Sequence, residues 1–443
     1  MISLSRATSP IKGEITVPGD KSISHRSIMF GALAEGTTTI TGFLESADCL
    51  STIDCFRKLG IEIEKKNNHM TGVPTIYVHG KGINGLTAPD SLLYTGNSGT
   101  TTRLISGILS AQSFDTDITG DASIEKRPMK RVITPLSEMG ADIVSVKDND
   151  CAPLHITGGK KLHGITYNSP VASAQVKSAI ILAGLYADSA TTVIEPALSR
   201  NHTEIMLKAF GADIHNETYE DGKAAAVLNP GQPLKAIDIN VPGDISSAAF
   251  FIAAALMVPG SELLIKNVGV NETRAGIINV LKRMGADITL LNEDNSSEKR
   301  ADILVKYSKL HGDENKEFVI GGADIPTMID ELPVVAVLAA TADCTTIIKD
   351  AAELKVKESN RIDSVVDNLK AMGCDVTATD DGMIIRGGKP LTGAKIDSHS
   401  DHRLAMSFAI AALGADGETI IADDKCVDIS YPTFFSDLRS LIK

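Results

Sequence analysis

The sequence predicts an α/β protein of two lobes, each built from three copies of one unit, strand-helix-strand-helix-strand-strand. Three observations predict it. A helix-like run closed by Gly, then an acidic and a β-branched residue, recurs as LGIEI (59–63), MGADI (139–143), FGADI (210–214), MGADI (284–288) and MGCDV (372–376). A second phrase alternates with it: a helix rich in small residues, a short turn and a β-branched strand, TTTI (37–40), TDIT (116–119), TTVI (191–194), ELLI (262–265), TTII (345–348) and TIIA (419–422). Third, Val-Pro-Gly-Asp stands at 17–20 and again at 241–244, where two groups of three units would meet.

Each element has a local reason. The Gly of the first phrase suits the left-handed position after a helix end, and the residues after it begin a strand. Further strands follow most of these phrases: IYVHG, LHITG, AAAVL, ILVKY and MIIRG. A last helix is expected at about 432–442. A single unit of about 70 residues cannot bury both faces of its sheet, whereas three packed together can. The chain is expected to cross over at Val17–Asp20 and Val241–Asp244, so that residues 1–20 with 243–443 form one lobe and 21–242 the other. Pro and Gly at both crossovers suit a pair of hinges.

Composition bounds the function. The chain has 443 residues, more than one ordinary core accommodates, with 43% hydrophobic and 22% charged residues, as in soluble globular proteins. A formal charge of −13 argues against a general nucleic-acid or anionic-membrane surface and leaves room for a local cationic pocket. Six scattered cysteines form no Cys-x-x-Cys pair, which fits a reducing compartment and gives no support to a zinc ribbon. The opening MISLSRATSPIKGE has no apolar signal core, and the longest apolar run, 248–258, is too short to span a bilayer. The expected location is the cytoplasm and the expected state a monomer.

Several motifs are decoys. GKGING (80–85) matches a dinucleotide pattern, but LTAPDS follows where a helix is needed, so a glycine-rich hairpin loop is expected. GNSGTT (96–101) lacks the spacing and Lys of a phosphate loop. HSDH (399–402) reads as a helix cap rather than a chelator.

The starts of the six small-residue helices hold the informative chemistry. They carry Lys21, Ser22, Ser24, His25 and Arg26; Asn97, Ser98, Gly99 and Arg103; Ser173, Ala174 and Gln175, with Lys177; Ser246 and Ser247; Asp330 and Glu331; and Ser400, Asp401, His402 and Arg403. Helix N-termini favour acids, so cations there run against the local electrostatics. Small hydroxyl residues beside free N–H groups make an anion cradle, and a bound phosphate or carboxylate would reverse the sign of the argument. Singly, each feature has an ordinary reading. Asp330 and Glu331 would be caps, Lys357, Glu358 and Arg361 a surface ion pair, and EKRPMKR (125–131) a basic turn with Pro128 opening a helix. Together, in an acidic chain, they point to a substrate with several negative charges. The first Val-Pro-Gly-Asp copy carries Lys21, His25 and Arg26, whereas the second is followed only by small and apolar residues and reads as a structural copy.

GDKSISHR, GNSGTTTRL, KRPM, SAQVKSA, KVKESNRI and SDHRLAMSF, in this order over nearly the whole chain, resemble the motifs of the 5-enolpyruvylshikimate-3-phosphate synthases, in the wording of class II. The resemblance implies a two-lobed inverse α/β barrel, each lobe three βαβαββ units with pseudo-threefold symmetry. It implies enolpyruvyl transfer from phosphoenolpyruvate to the 5-hydroxyl of shikimate 3-phosphate, with release of phosphate and no metal or organic cofactor. It places Lys21, Ser22 and Arg26 at the shikimate phosphate, with Ser173, Ala174 and Gln175 as a second strip and Ser199 and Arg200 as additions. Gly99, Arg127, Arg361 and Arg403 match the phosphoenolpyruvate site, which Lys21 also faces. Asp330 matches the carboxylate beside the attacking hydroxyl, Glu358 the group near the enol methylene, and Lys357 a shikimate-phosphate contact. Gly99 lies where the herbicide glyphosate sits in sensitive relatives. The chain departs from relatives with a lysine shortly before a terminal TFP: it has ISYP, with Lys425 the nearest lysine.

The chemistry suits these residue types. A neutral alcohol must lose a proton and the alkene carbon must gain one, and both steps are reversed as phosphate leaves, so groups of separable pKa are needed. Asp330 and Glu358 are the candidates, with Lys21 supplying charge or a proton; the arginines neutralise phosphate and carboxylate. Two alternatives are weighed. A UDP-N-acetylglucosamine enolpyruvyl transferase typically uses a loop cysteine before the RPM segment, and residues 110–131 contain none. A non-catalytic phosphosugar-binding protein would not need Asp330, Glu358 and Lys21 together.

Overall fold

All six β-branched phrases form interior strands. In the computed structural model, which describes residues 1–67 and 74–442, they lie in six separate sheets. One unit shows the pattern. Strand Leu93–Tyr94, helix Gly99–Leu109, strand Thr116–Thr119, helix Lys130–Glu138 and strands Asp142–Ser145 and Leu154–Thr157 follow one another along the chain. Thr116–Thr119 pairs parallel with the first strand and antiparallel with the last, and Asp142–Ser145 closes the edge. Five sheets share this order. The five predicted glycines, Gly60, Gly140, Gly211, Gly285 and Gly373, all have φ between 84° and 99°, where a side chain would be strained.

The sixth unit departs from the expected pattern. Its sheet has three strands, and the antiparallel partner of Glu418–Ile421 is Ile2–Ser5. A strand from the beginning of the chain thus takes the place of the closing pair. Strands are also exchanged at the two Val-Pro-Gly-Asp segments. Lys12–Thr16 pairs parallel with Glu262–Gly269, while Asp238–Asn240 pairs parallel with Glu35–Thr41. Two smaller expectations are corrected. The strand Pro74–Lys81 is followed by a turn and then by a strand of another sheet, so GKGING lies in a connection between units and not in a hairpin. Pro128 precedes the cap residue Met129 instead of opening the helix.

The contacts divide the chain into two compact units, one from Gly19 to Val241, the other joining Met1–Pro18 to the chain from Pro242 onward. Each has its own apolar core. The small-residue helices lie inside and the sheets outside. In one unit the helices Ile245–Met257, Leu332–Thr341 and His402–Gly414 pack on one another, the first buried at every position. A helix apolar on all sides must be buried on all sides, and small residues let such helices approach closely. In the other unit the helices Gly99–Leu109 and Ala174–Gly184 come so near that a Cβ on Gly107 would stand 2.1 Å from the Ala179 carbonyl oxygen. That contact sets the relative position of the helix starts that carry Gly99 and Gln175. Among the described residues no helix is long and apolar enough to cross a membrane.

Gly107→Ala forces this helix pair apart against backbone. It should lower unfolding stability by about 1–3 kcal/mol or more, measured by denaturant unfolding. An unchanged midpoint would show that the close approach is not needed.

Candidate active site

In the Gly19–Val241 unit, Asp20 caps the helix Lys21–Leu33 by accepting from the Ile23 N–H at 2.8 Å. The Lys21 ammonium, in the first turn, pairs with Asp48, in the first turn of the next helix, Ala47–Lys58. Arg26, five residues on, is buried. Its Nε donates to Thr203 Oγ1 at 2.7 Å, Nη2 to Ser178 Oγ at 3.0 Å and Nη1 to the Ser22 carbonyl at 3.0 Å. The guanidinium therefore ties this helix to two others as well as placing charge at its start.

His25 is fully buried, with Nδ1 2.7 Å from Thr52 Oγ1. Burial, with Lys21 and Arg26 nearby, pushes its pKa down to about 3, so the ring is neutral at ordinary pH. Thr52 continues to Thr101 at 2.8 Å, and Thr101 to Ser98 Oγ at 2.7 Å, so a buried polar chain runs from the Lys21 helix to the cap of the Gly99 helix.

A second cluster gathers around Gly99. Arg127 Nη2 donates to Asn97 Oδ1 at 2.8 Å and to Ser123 Oγ at 3.3 Å. Arg103 Nη1 donates to Gln175 Oε1 at 2.5 Å, and Gln175 Nε2 to Thr100 Oγ1 at 3.0 Å. A Cβ on Gly99 would stand 3.0 Å from Arg103 Nη1 and 3.1 Å from Arg127 Nη1, so the glycine lets two guanidinium groups close over the helix start. The predicted Gly99, Arg127 and Gln175 are brought together, and Arg103 joins them.

Ser173 and Ser199 meet through Glu195, a residue the motifs did not indicate. Its Oε1 accepts from the Ser173 N–H at 2.8 Å and its Oε2 from Ser199 Oγ at 2.7 Å. Lys177, buried, stands 2.9 Å from Glu195 and 2.8 Å from Glu204. Burial works against its charge, but the two carboxylates outweigh it and raise the pKa. Ser22, Ala174 and Arg200 lie half-buried.

The other unit carries the acids. Arg361 opens the helix Arg361–Ala371 and is 1% exposed. Its Nε lies 2.8 Å from Asp401 Oδ2, its Nη2 3.2 Å from Asp401 Oδ1 and 2.6 Å from Glu358 Oε2, and its Nη1 3.3 Å from Asp330 Oδ1. In place of the surface ion pair of the ordinary reading stands a buried guanidinium shared by three carboxylates. Burial opposes its charge, yet the three acids hold its pKa above the usual range; burial likewise opposes ionisation of Asp401, and Arg361 brings its pKa down. Asp330 also stands 3.5 Å from Lys357 and 3.9 Å from Arg403, and its carbonyl accepts from Arg403 Nη1 at 3.2 Å. Asp401 caps the helix His402–Gly414 through the Arg403 N–H at 2.9 Å, so HSDH is a cap that also clamps Arg361. Glu331 occupies the cap position of Leu332–Thr341 but makes no side-chain capping bond; it is bonded by Ser246. Lys425 begins the short turn Lys425–Ile429.

Sequence reasoning missed Asp48, Glu195 and Glu204 as partners of these cations, and gave Asp401 only a capping role. Each pairs with a buried or half-buried cation from a different segment. The one available signal was the excess of cations at helix starts, which requires counter-charges somewhere.

The chain matches the family model described as EPSP synthase (3-phosphoshikimate 1-carboxyvinyltransferase) over residues 5–438. It is 57% identical to a 3-phosphoshikimate 1-carboxyvinyltransferase of Brevibacillus brevis, covering 96% of each chain, and 52% identical to one of Bacillus velezensis, covering 98% of each. It superposes on an EPSP synthase structure from Acinetobacter baumannii with a TM-score of 0.87 at 47% identity, covering 99% of this chain and 97% of that one. Motifs, repeated-unit fold and full-length similarity agree, and the chain belongs to the EPSP synthase family.

Proposed function

We propose that Asp330, Glu358 and Lys21 carry the proton transfers of the reaction and that the cationic helix starts hold its anionic substrates. As a member of its family, the protein transfers the enolpyruvyl group of phosphoenolpyruvate to shikimate 3-phosphate in the shikimate pathway. The observation that carries the assignment is the sharing of Arg361 by Asp330 and Glu358. Two carboxylates against one guanidinium, one 12% and one 30% exposed, are both within reach of a ligand and in different surroundings. That difference suits one for taking the 5-hydroxyl proton and the other for delivering a proton to the alkene carbon. Asp330 takes the first role and Glu358 the second.

Lys21, Ser22 and Arg26 bind the acceptor's phosphate with Ser173, Ala174, Gln175, Ser199, Arg200 and Lys357. Lys21, Gly99, Arg127, Arg361 and Arg403 face the donor. In this reading an incoming phosphate takes over from Asp48 as the counter-charge of Lys21, which frees that lysine to supply charge or a proton. Six free thiols support a reducing compartment, and we place the protein in the cytoplasm, acting as a monomer.

The reading is tested by phosphate release from phosphoenolpyruvate, with shikimate 3-phosphate or a UDP-sugar as acceptor. Only shikimate 3-phosphate should support turnover. Asp330→Asn and Glu358→Gln should each lower kcat by about a hundredfold or more while acceptor binding changes far less. Parent-like turnover in either variant removes its residue from the chemistry.

Gly99 generates a second test. A methyl there must displace Arg103 and Arg127 by a few tenths of an ångström, or itself enter the donor space. Gly99→Ala should raise the inhibition constant of glyphosate, the longer occupant, by about one to two orders of magnitude, with a smaller rise in KM for phosphoenolpyruvate. Equal loss for inhibitor and donor would contradict steric selection at this position.

A further inference from the structure

The second Val-Pro-Gly-Asp copy has no cation of its own, but one reaches it from elsewhere. Asp244 caps the helix Ile245–Met257 through the Ser246 N–H at 2.8 Å. Arg274, 3% exposed, sits in the turn before the helix Gly276–Arg283. That turn is fixed from within: Asn271 Oδ1 accepts from the Thr273 N–H at 2.9 Å and from the Thr273 hydroxyl at 2.8 Å, and Asn271 Nδ2 donates to Glu298 at 3.1 Å. One arm of the Arg274 fork, Nη2, donates to Ser246 Oγ at 2.8 Å and to Asp244 Oδ1 at 3.2 Å. The other, Nη1, faces the neighbouring acids, 3.9 Å from Asp330 Oδ2 and 4.0 Å from Glu331 Oε1. Ser246 in turn donates to Glu331.

We propose that Arg274 is a further positioning residue for the transfer reaction, fixing the Asp330 carboxylate at Oδ2, the oxygen that Arg361 does not approach. This rests on the reading of Asp330 as the base. Arg361 and Lys357 approach Oδ1 of Asp330, at 3.3 and 3.5 Å, whereas Arg274 and Arg403 approach Oδ2, both at 3.9 Å. The carboxylate is thus held between two pairs of cations, and Glu331, beside it, is the opposing charge. Arg403 also donates to the Asp330 carbonyl, and Arg403, Arg361 and Lys357 are all assigned to substrate in the proposed site. Arg274 has no such assignment and is tied to the helix start through Ser246 and Asp244. A planar fork serves Ser246 with one nitrogen and faces Asp330 with another in a fixed geometry, which the single nitrogen of a lysine does not reproduce.

The test compares Arg274→Lys, Arg274→Gln and Asp330→Asn with the parent, measuring kcat, KM for both substrates and the pH profile of kcat/KM. Arg274→Lys keeps the charge and loses the fork, so kcat should fall about tenfold or more while KM for shikimate 3-phosphate stays within about threefold. Removing a cation raises a neighbouring carboxylate's pKa, so Arg274→Gln should also move the acid limb of the profile to higher pH. Should Arg274→Gln fail to fold for want of charge beside Glu331, Arg274→Lys decides alone. Parent-like kcat in Arg274→Lys beside an inactive Asp330→Asn overturns the inference and leaves the Asp330 reading standing, as does a loss confined to KM for shikimate 3-phosphate. Parent-like turnover in Asp330→Asn overturns the Asp330 reading and the inference with it.

Discussion

A cation in the first turn of a helix faces the positive end of the helix dipole, and this molecule places cations there repeatedly. Lys21, Arg361 and Arg403 each open or nearly open a helix. Each unit meets that cost with its own carboxylates. Asp20 and Asp401 cap two of these helices, Asp48 pairs with Lys21, and Asp401, Glu358 and Asp330 surround Arg361. Buried pairs of this kind contribute little net stability, because desolvation offsets much of the attraction. Their effect is to hold charged groups in one geometry before a substrate arrives, so that little reorganisation is left for the reaction.

The repeated architecture makes this placement possible. Small-residue helices pack inside each unit, with the sheets outside, so their starts are held by backbone packing instead of by loops. Gly107 against Ala179 fixes one such relation, and Gly99 beneath Arg103 and Arg127 uses the same lack of a side chain at the start of the same helix. The units have diverged in what they carry. The helix after the first Val-Pro-Gly-Asp brings its own Lys21 and Arg26, whereas the helix after the second receives Arg274 from the following turn.

The architecture was legible because it is written in local patterns. The glycines after helix ends, the β-branched strands and the paired crossovers each depend on a few adjacent residues. Gly60, Gly140, Gly211, Gly285 and Gly373 have the backbone conformation their phrase requires. The helix-start cations were legible for the same reason, since position within a helix is local. Their partners were not. Asp48 pairs with Lys21 across 27 positions and Asp401 with Arg361 across 40, and nothing near either acid marks it as a counter-charge. In the sixth sheet only the closing strand, Ile2–Ser5, escaped sequence reading, because it lies more than 400 positions from its partner.

The central claim is that the protein's own carboxylates stand in for substrate anions as the counter-charges of the helix-start cations. The most direct test is the rise in thermal midpoint caused by shikimate 3-phosphate in the parent and in Asp48→Asn. The account predicts a lower midpoint for the unliganded variant, whose Lys21 has lost this partner, and a larger rise on binding, because the ligand's phosphate restores the missing charge. Equal unliganded midpoints with equal rises would contradict it.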